Sequence, residues 1–91
     1  MLGKVRLALR ITSNAYDEDL QGLIEAGLAD LGLAGVLSEN VTDPLIQRAV
    51  ITYCRYNFGS PADYDRLKRS YDEQKAQLQT ATGYTNWEGA S

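Results

Sequence analysis

Between positions 13 and 31 the apolar residues Tyr16, Leu20, Leu23, Ile24, Gly27, Leu28 and Leu31 recur at three- and four-residue steps. That spacing draws one stripe down an amphipathic helix. Ser13 or Asn14 is placed to cap it, and Asp17, Glu18 and Asp19 put negative charge in its first turn, where the helix dipole favours it. Gly27 lies inside the stripe, which predicts close approach by a neighbouring helix. Gly32 and Gly35 stop the pattern, and Leu33–Thr42 is expected to be a loop.

Asp43-Pro44 opens a second helix with an N-cap followed by proline at the first helical position, where its missing N–H costs nothing. Leu45–Phe58 follows and ends at Gly59. Leu45, Ile46, Ala49, Val50, Tyr53 and Asn57 share one face, with Ile51 and Phe58 nearly opposite and Cys54 between, so this helix should be central. Its only charges, Arg48 and Arg55, stand seven residues apart and form a narrow strip with Thr52. Ser60-Pro61-Ala62-Asp63 reads as a capping box opening a third helix that runs to about Ala81, with Gly83 behind it. Its stripe is thin (Tyr64, Leu67, Tyr71, Leu78), and Asp65–Arg69 and Asp72–Lys75 have the spacing of favourable ion pairs.

Residues 4–11 alternate in the manner of a strand, but Lys, Arg, Leu and Ala are good helix formers and a lone strand would lack a partner. A short helix is expected there. The pattern therefore predicts an all-α fold: a small bundle of three main helices plus a short N-terminal helix, occupying 1–83. Residues 84–91 carry Tyr84 and the single tryptophan, Trp87, among small and polar residues. They read as a flexible tail whose aromatics are candidate anchors for a partner.

Composition narrows the function. A 91-residue chain is one domain whose core buries only about 60% of its unfolded surface, so partner subunits would add stability. The net charge of −3 argues against sequence-independent binding of nucleic acid, which relies on clustered basic charge. With one cysteine and no histidine, a Cys/His zinc site, an internal disulfide and a histidine-based nucleophilic triad are all ruled out by arithmetic. The basic residues Lys4, Arg6 and Arg10 interrupt the first dozen positions, so neither a signal peptide nor a membrane span is expected there. The chain is therefore expected in the cytosol or in a particle assembled there. No phosphate-binding loop is present, and the acidic cluster at 17–19 reads as helix capping rather than a metal site. No cofactor or metal and no enzymatic activity are expected. Cys54 reads as a small core hydrophobe.

Arg48 and Arg55 interrupt an otherwise buried helix. Two readings stand: pairing inside the subunit with Glu25 or Asp30 or simple solvation, or a strip that meets a neighbouring subunit's carboxylates.

Several runs together resemble a known family. Val5-Arg6-Leu7-Ala8-Leu9-Arg10-Ile11-Thr12, then Ala15-Tyr16-Asp17, Leu23-Ile24-Glu25-Ala26, Ala29-Asp30-Leu31-Gly32 and Ala34-Gly35-Val36 are similar to the opening of the small head–tail connector proteins of long-tailed bacteriophages and prophages. Asp43 to Tyr53, ending in Asn57-Phe58-Gly59, is the most characteristic part, followed by Tyr64, Leu67, Ser70-Tyr71-Asp72 and Thr82-Gly83-Tyr84. The resemblance covers nearly the whole chain and rests on the order and spacing of packing and capping patterns. It implies a helical homo-oligomeric ring, dodecameric in the virion, beneath the portal protein at the head–tail junction. Such a ring extends the DNA channel, with DNA passing non-specifically, and carries the stopper or tail-completion protein. Members are grouped with DNA-packaging proteins although the motor is a different machine, and they assemble in the bacterial host cytoplasm without a membrane. The resemblance carries no catalytic residues. Two other readings compete: a cytosolic helical adaptor unrelated to virions, and a helix-turn-helix regulator, which the acidic residues interleaved with Arg66, Lys68 and Arg69 disfavour.

Overall fold

The computed structural model describes residues 1–59 and 61–80. Ser60 and everything from 81 onward, including Tyr84 and Trp87, lie outside the described residues. Four α-helices follow in order: α1 (Leu2–Leu9), α2 (Asp17–Asp30), α3 (Pro44–Asn57) and α4 (Tyr64–Thr80), with a 3-10 turn at Ser38–Asn40 in the loop before α3. Among the described residues there is no strand, and the all-α expectation holds. No helix among them is long and apolar enough to cross a membrane.

The central position of α3 follows from its own residues. Ile46, Ala49, Val50, Cys54 and Tyr56 are buried on it, and α1, α2 and α4 all pack against it. Val5 of α1, Leu20, Ile24 and Leu28 of α2, and Leu67, Tyr71 and Leu78 of α4 complete one continuous core. The stripe on α2 is seated as its spacing predicted, although Tyr16 remains half exposed and meets Phe58 edge-on at 5.5 Å. On α3, Leu45 departs from expectation: in the first turn of the helix, it is 52% exposed.

Local chemistry fixes the helix ends. Asp43 caps α3 as its sequence demands, its carboxylate accepting the N–H groups of Leu45 at 2.8 Å and Ile46 at 3.4 Å. At the end of α2 the Gly32 N–H donates to Ala29 O and the Leu33 N–H to Leu28 O, with Gly32 at φ 86°: a Schellman ending that needs a left-handed residue. Two starts differ from expectation. Neither Ser13 nor Asn14 caps α2; Ser13 Oγ instead accepts the N–H of Ala15 in a tight turn, and α2 begins later, after Tyr16. Similarly, Pro61 is not the first residue of α4, since Pro61–Asp63 form a turn closed by Tyr64 N–H on Pro61 O, and the helix starts at Tyr64.

The expected ion pairs on α4 do not form. Asp72 takes Lys68, one turn earlier, at 3.3 Å, and Lys75 reaches across to Asp30 of α2 at 3.3 Å. Tyr71, buried on α4, donates its hydroxyl to the same Asp30 carboxylate. Behind it the rings of Tyr53, Tyr56 and Tyr71 stack in tilted and edge-on pairs between 5.4 and 5.7 Å apart, the geometry that ring quadrupoles favour.

Candidate functional site

On the side of α3 away from α2, residues of α3, α4 and α1 line a groove of about 500 Å³. Its position follows from helical phase. Tyr53 faces α2, and Arg55, two residues further on, points about 200° away. Arg48, seven residues before Arg55, returns to nearly the same direction. The structure thus brings the two sequence-identified arginines into one groove, together with Lys4 of α1 and Arg66 of α4.

Among the described residues no carboxylate lines this groove; its other polar residues are Gln47, Thr52, Ser70 and Gln74. Lys4 Nζ donates to Gln47 Oε1 at 2.7 Å, which ties α1 to the rim, and Arg66 pairs with Asp63 at the start of its own helix. Arg48 and Arg55 make no ion pair among the described residues. Neither of the carboxylates weighed as partners within the subunit meets them: Asp30 is taken by Tyr71 and Lys75, and Glu25 accepts from Gln21 at 3.3 Å, which leaves solvation or a neighbouring subunit. Thr52 is not part of an exposed strip either. It is buried, its hydroxyl donating to Arg48 O at 3.0 Å, so it forms the floor beneath the two arginines. Gln74 Nε2 donates to Ser70 Oγ, while its Oε1 is buried without a donor among the described residues.

Wide, charged and open, this groove lacks the apolar enclosure of a small-molecule pocket. Its chemistry fits an anionic surface. Lys4, Arg66 and Gln74 escaped sequence reasoning because they come from other helices, and only the packing of α1 and α4 on α3 brings them together.

Other candidate chemistry resolves into structure. Asp17 of the acidic cluster holds Arg6 in a two-pronged contact, Nε to Oδ1 at 2.8 Å and Nη2 to Oδ2 at 2.9 Å. Among the described residues no group of three or more His, Cys, Asp or Glu side chains could hold a metal ion. Burial pushes the Cys54 thiol up to about 12, the mark of an inert core cysteine. On α4, Arg66 and Lys68 are each matched by a carboxylate, which removes the basic face that a recognition helix would need.

A family model described as phage connector protein matches residues 1–85 of the chain. No curated protein and no solved structure matches it.

Proposed function

The chain belongs to the phage connector protein family, and on that premise we propose that it is a structural subunit of a ring beneath the portal at the capsid vertex. The ring extends the DNA channel and carries the stopper or tail-completion protein, and the subunit's role is architectural rather than catalytic. One observation supports this above others: Arg48 and Arg55 lie in a shared groove with no carboxylate partner among the described residues. Charged groups on a largely buried helix commonly find partners, and in this reading a neighbouring subunit's carboxylates supply them.

In this reading Arg48 and Arg55 sit at a subunit–subunit contact, and Tyr84 and Trp87 dock the ring onto the portal or the next protein of the tail-completion series. A net charge of −3 suits a channel through which DNA slides without being held. The particle is the head–tail junction of the virion, assembled in the host cytoplasm. The test is to mix the full chain with portal rings from the same phage and examine the product by electron microscopy. An added annular layer coaxial with the portal is the expected result; portal rings left bare at saturating chain would overturn the proposal.

A further inference from the structure

We propose that the outer face of α2 in a second copy of this chain seats in the α3–α4 groove, with Glu18 and Glu25 pairing with Arg48 and Arg55. The inference rests on the ring reading and supplies the surface that the ring would use.

Helical phase sets the two charged patches apart. Gly27 of α2 and Tyr53 of α3 are in contact. Glu25 lies two residues before Gly27 and Arg55 two residues after Tyr53, so each is rotated about 200° from that contact. The carboxylates and the guanidinium groups therefore leave the subunit on opposite sides. Complementary patches on opposite sides cannot satisfy each other within one molecule. They join copies head to tail, and such contacts close into a ring when the rotation allows.

The spacing of the charges matches as well. Glu18 and Glu25 are seven residues apart on α2, as Arg48 and Arg55 are on α3. Seven residues are two helical turns, about 10.5 Å in each case. Two helices laid alongside can make both ion pairs in one register.

Both glutamates are also available. Two of the α2 carboxylates are spent inside the subunit, Asp17 on Arg6 and Asp30 on Lys75 and Tyr71. Glu18 has no such ion pair among the described residues, and Glu25 meets only the amide of Gln21. Between the two glutamates lies exposed Gly22, where an added Cβ would meet nothing within 4 Å, with exposed Ala26 and Ala29 nearby and exposed Asp19 adding to the negative charge of this face. A neighbouring helix can lie close there without displacing a side chain.

Sedimentation velocity on the full chain over a wide concentration range, with circular dichroism as the check on folding, tests this. Arg48→Glu/Arg55→Glu and, separately, Glu18→Lys/Glu25→Lys should each weaken self-association at least about tenfold while the helical signal persists. The four substitutions combined should restore it, because the pairing is then re-formed with its signs exchanged. Should either reversed pair lose its fold, the milder Arg48→Gln/Arg55→Gln and Glu18→Gln/Glu25→Gln variants take its place, with a smaller drop expected in both. If the arginine variants lose association and the glutamate variants do not, α2 is not the occupant and the inference fails while the ring stands. It fails in the same way if both reversals assemble as the parent does, or if the arginine variants lose only binding to duplex DNA. A parent chain that never self-associates overturns the ring reading and this inference with it.

Discussion

Gly27 of α2 lies directly against the ring of Tyr53 on α3: a Cβ placed on the glycine would stand 3.1 Å from Tyr53 Cδ1 and 3.3 Å from Cγ. The glycine sets how closely the two helices approach, and Tyr53 cannot retreat freely because Tyr56 and Tyr71 flank it. Alanine at 27 gains about 1 kcal/mol of helix propensity and loses a comparable amount to crowding, so Gly27→Ala should remain within about 1 kcal/mol of the parent. Gly27→Val adds bulk without that gain and should cost about 2 kcal/mol or more. Urea unfolding of both variants measures the difference; a valine variant as stable as the alanine one would mean that the helices are not held at contact distance.

A second relationship crosses from α2 to α4. Burial pushes the Asp30 carboxyl up, but the hydrogen bond from the Tyr71 hydroxyl and the nearby Lys75 together outweigh it and hold the group below its ordinary value of 3.8. A depressed carboxyl contributes stability that is fully present above its unfolded value and lost as pH falls through its folded one. The Asp30 contribution should therefore be level from about pH 5 to 7 and sag below about pH 4. Asp30→Asn removes this contribution to the sag and Tyr71→Phe shrinks it, the latter costing about 1 kcal/mol at neutral pH. Unfolding curves at stepped pH check this; an unchanged acid limb in Asp30→Asn would show that other carboxylates carry the whole effect.

Cys54 makes a kinetic prediction. Its side chain is fully buried and its thiol is pushed up to about 12 by that burial, so at about pH 8 it is neither charged nor reachable. A disulfide reagent added to the folded chain should react only as fast as the helices open, and within seconds once urea unfolds them. Prompt reaction of the folded chain would place Cys54 at the surface and undo the account of α3 as the central helix.

What the sequence disclosed divides along physical lines. The start of α3 was legible because Asp43-Pro44 is a local device whose donor and acceptor lie within three residues. Gly27 was legible as a close contact because it interrupts an apolar stripe. The starts of α2 and α4 were misjudged since Ser13 and Pro61 have equally good local uses in tight turns. The ion pairs of α4 were misjudged because Lys75 prefers a carboxylate brought near by folding over the one in its own helix. At the groove, Arg48 and Arg55 could be found from their seven-residue spacing alone. Lys4 and Arg66 could not, because nothing local marks which faces of α1 and α4 turn toward α3.

Trp87 is the single tryptophan of the chain, so one fluorophore reports on it. If Tyr84 and Trp87 dock the ring to its neighbour, Trp87→Ala should leave the helical signal and unfolding midpoint unchanged and weaken portal binding by about tenfold or more, the scale of an aromatic anchor. Emission from the free chain should be readily quenched by acrylamide and become protected on adding portal. Protected emission from the free monomer would assign Trp87 to the subunit's own core instead.

The clamp between Arg6 and Asp17 joins α1 to the first turn of α2 and should be the strongest surface ion pair in the described chain. Both of its contacts are short, 2.8 and 2.9 Å, both side chains are about two-thirds covered, and the planar guanidinium matches the carboxylate edge to edge. Lys68–Asp72, by contrast, sits at 3.3 Å with both side chains about half exposed, where solvent and salt screen it. Double-mutant cycles to alanine should return a coupling of about 1 kcal/mol for Arg6–Asp17 and only a few tenths for Lys68–Asp72. Arg6→Lys should recover little of the difference, because an ammonium cannot reproduce the two-pronged contact. Equal couplings in the two cycles would mean that the link between α1 and α2 comes from apolar packing around Val5, with the ion pair a passenger on it.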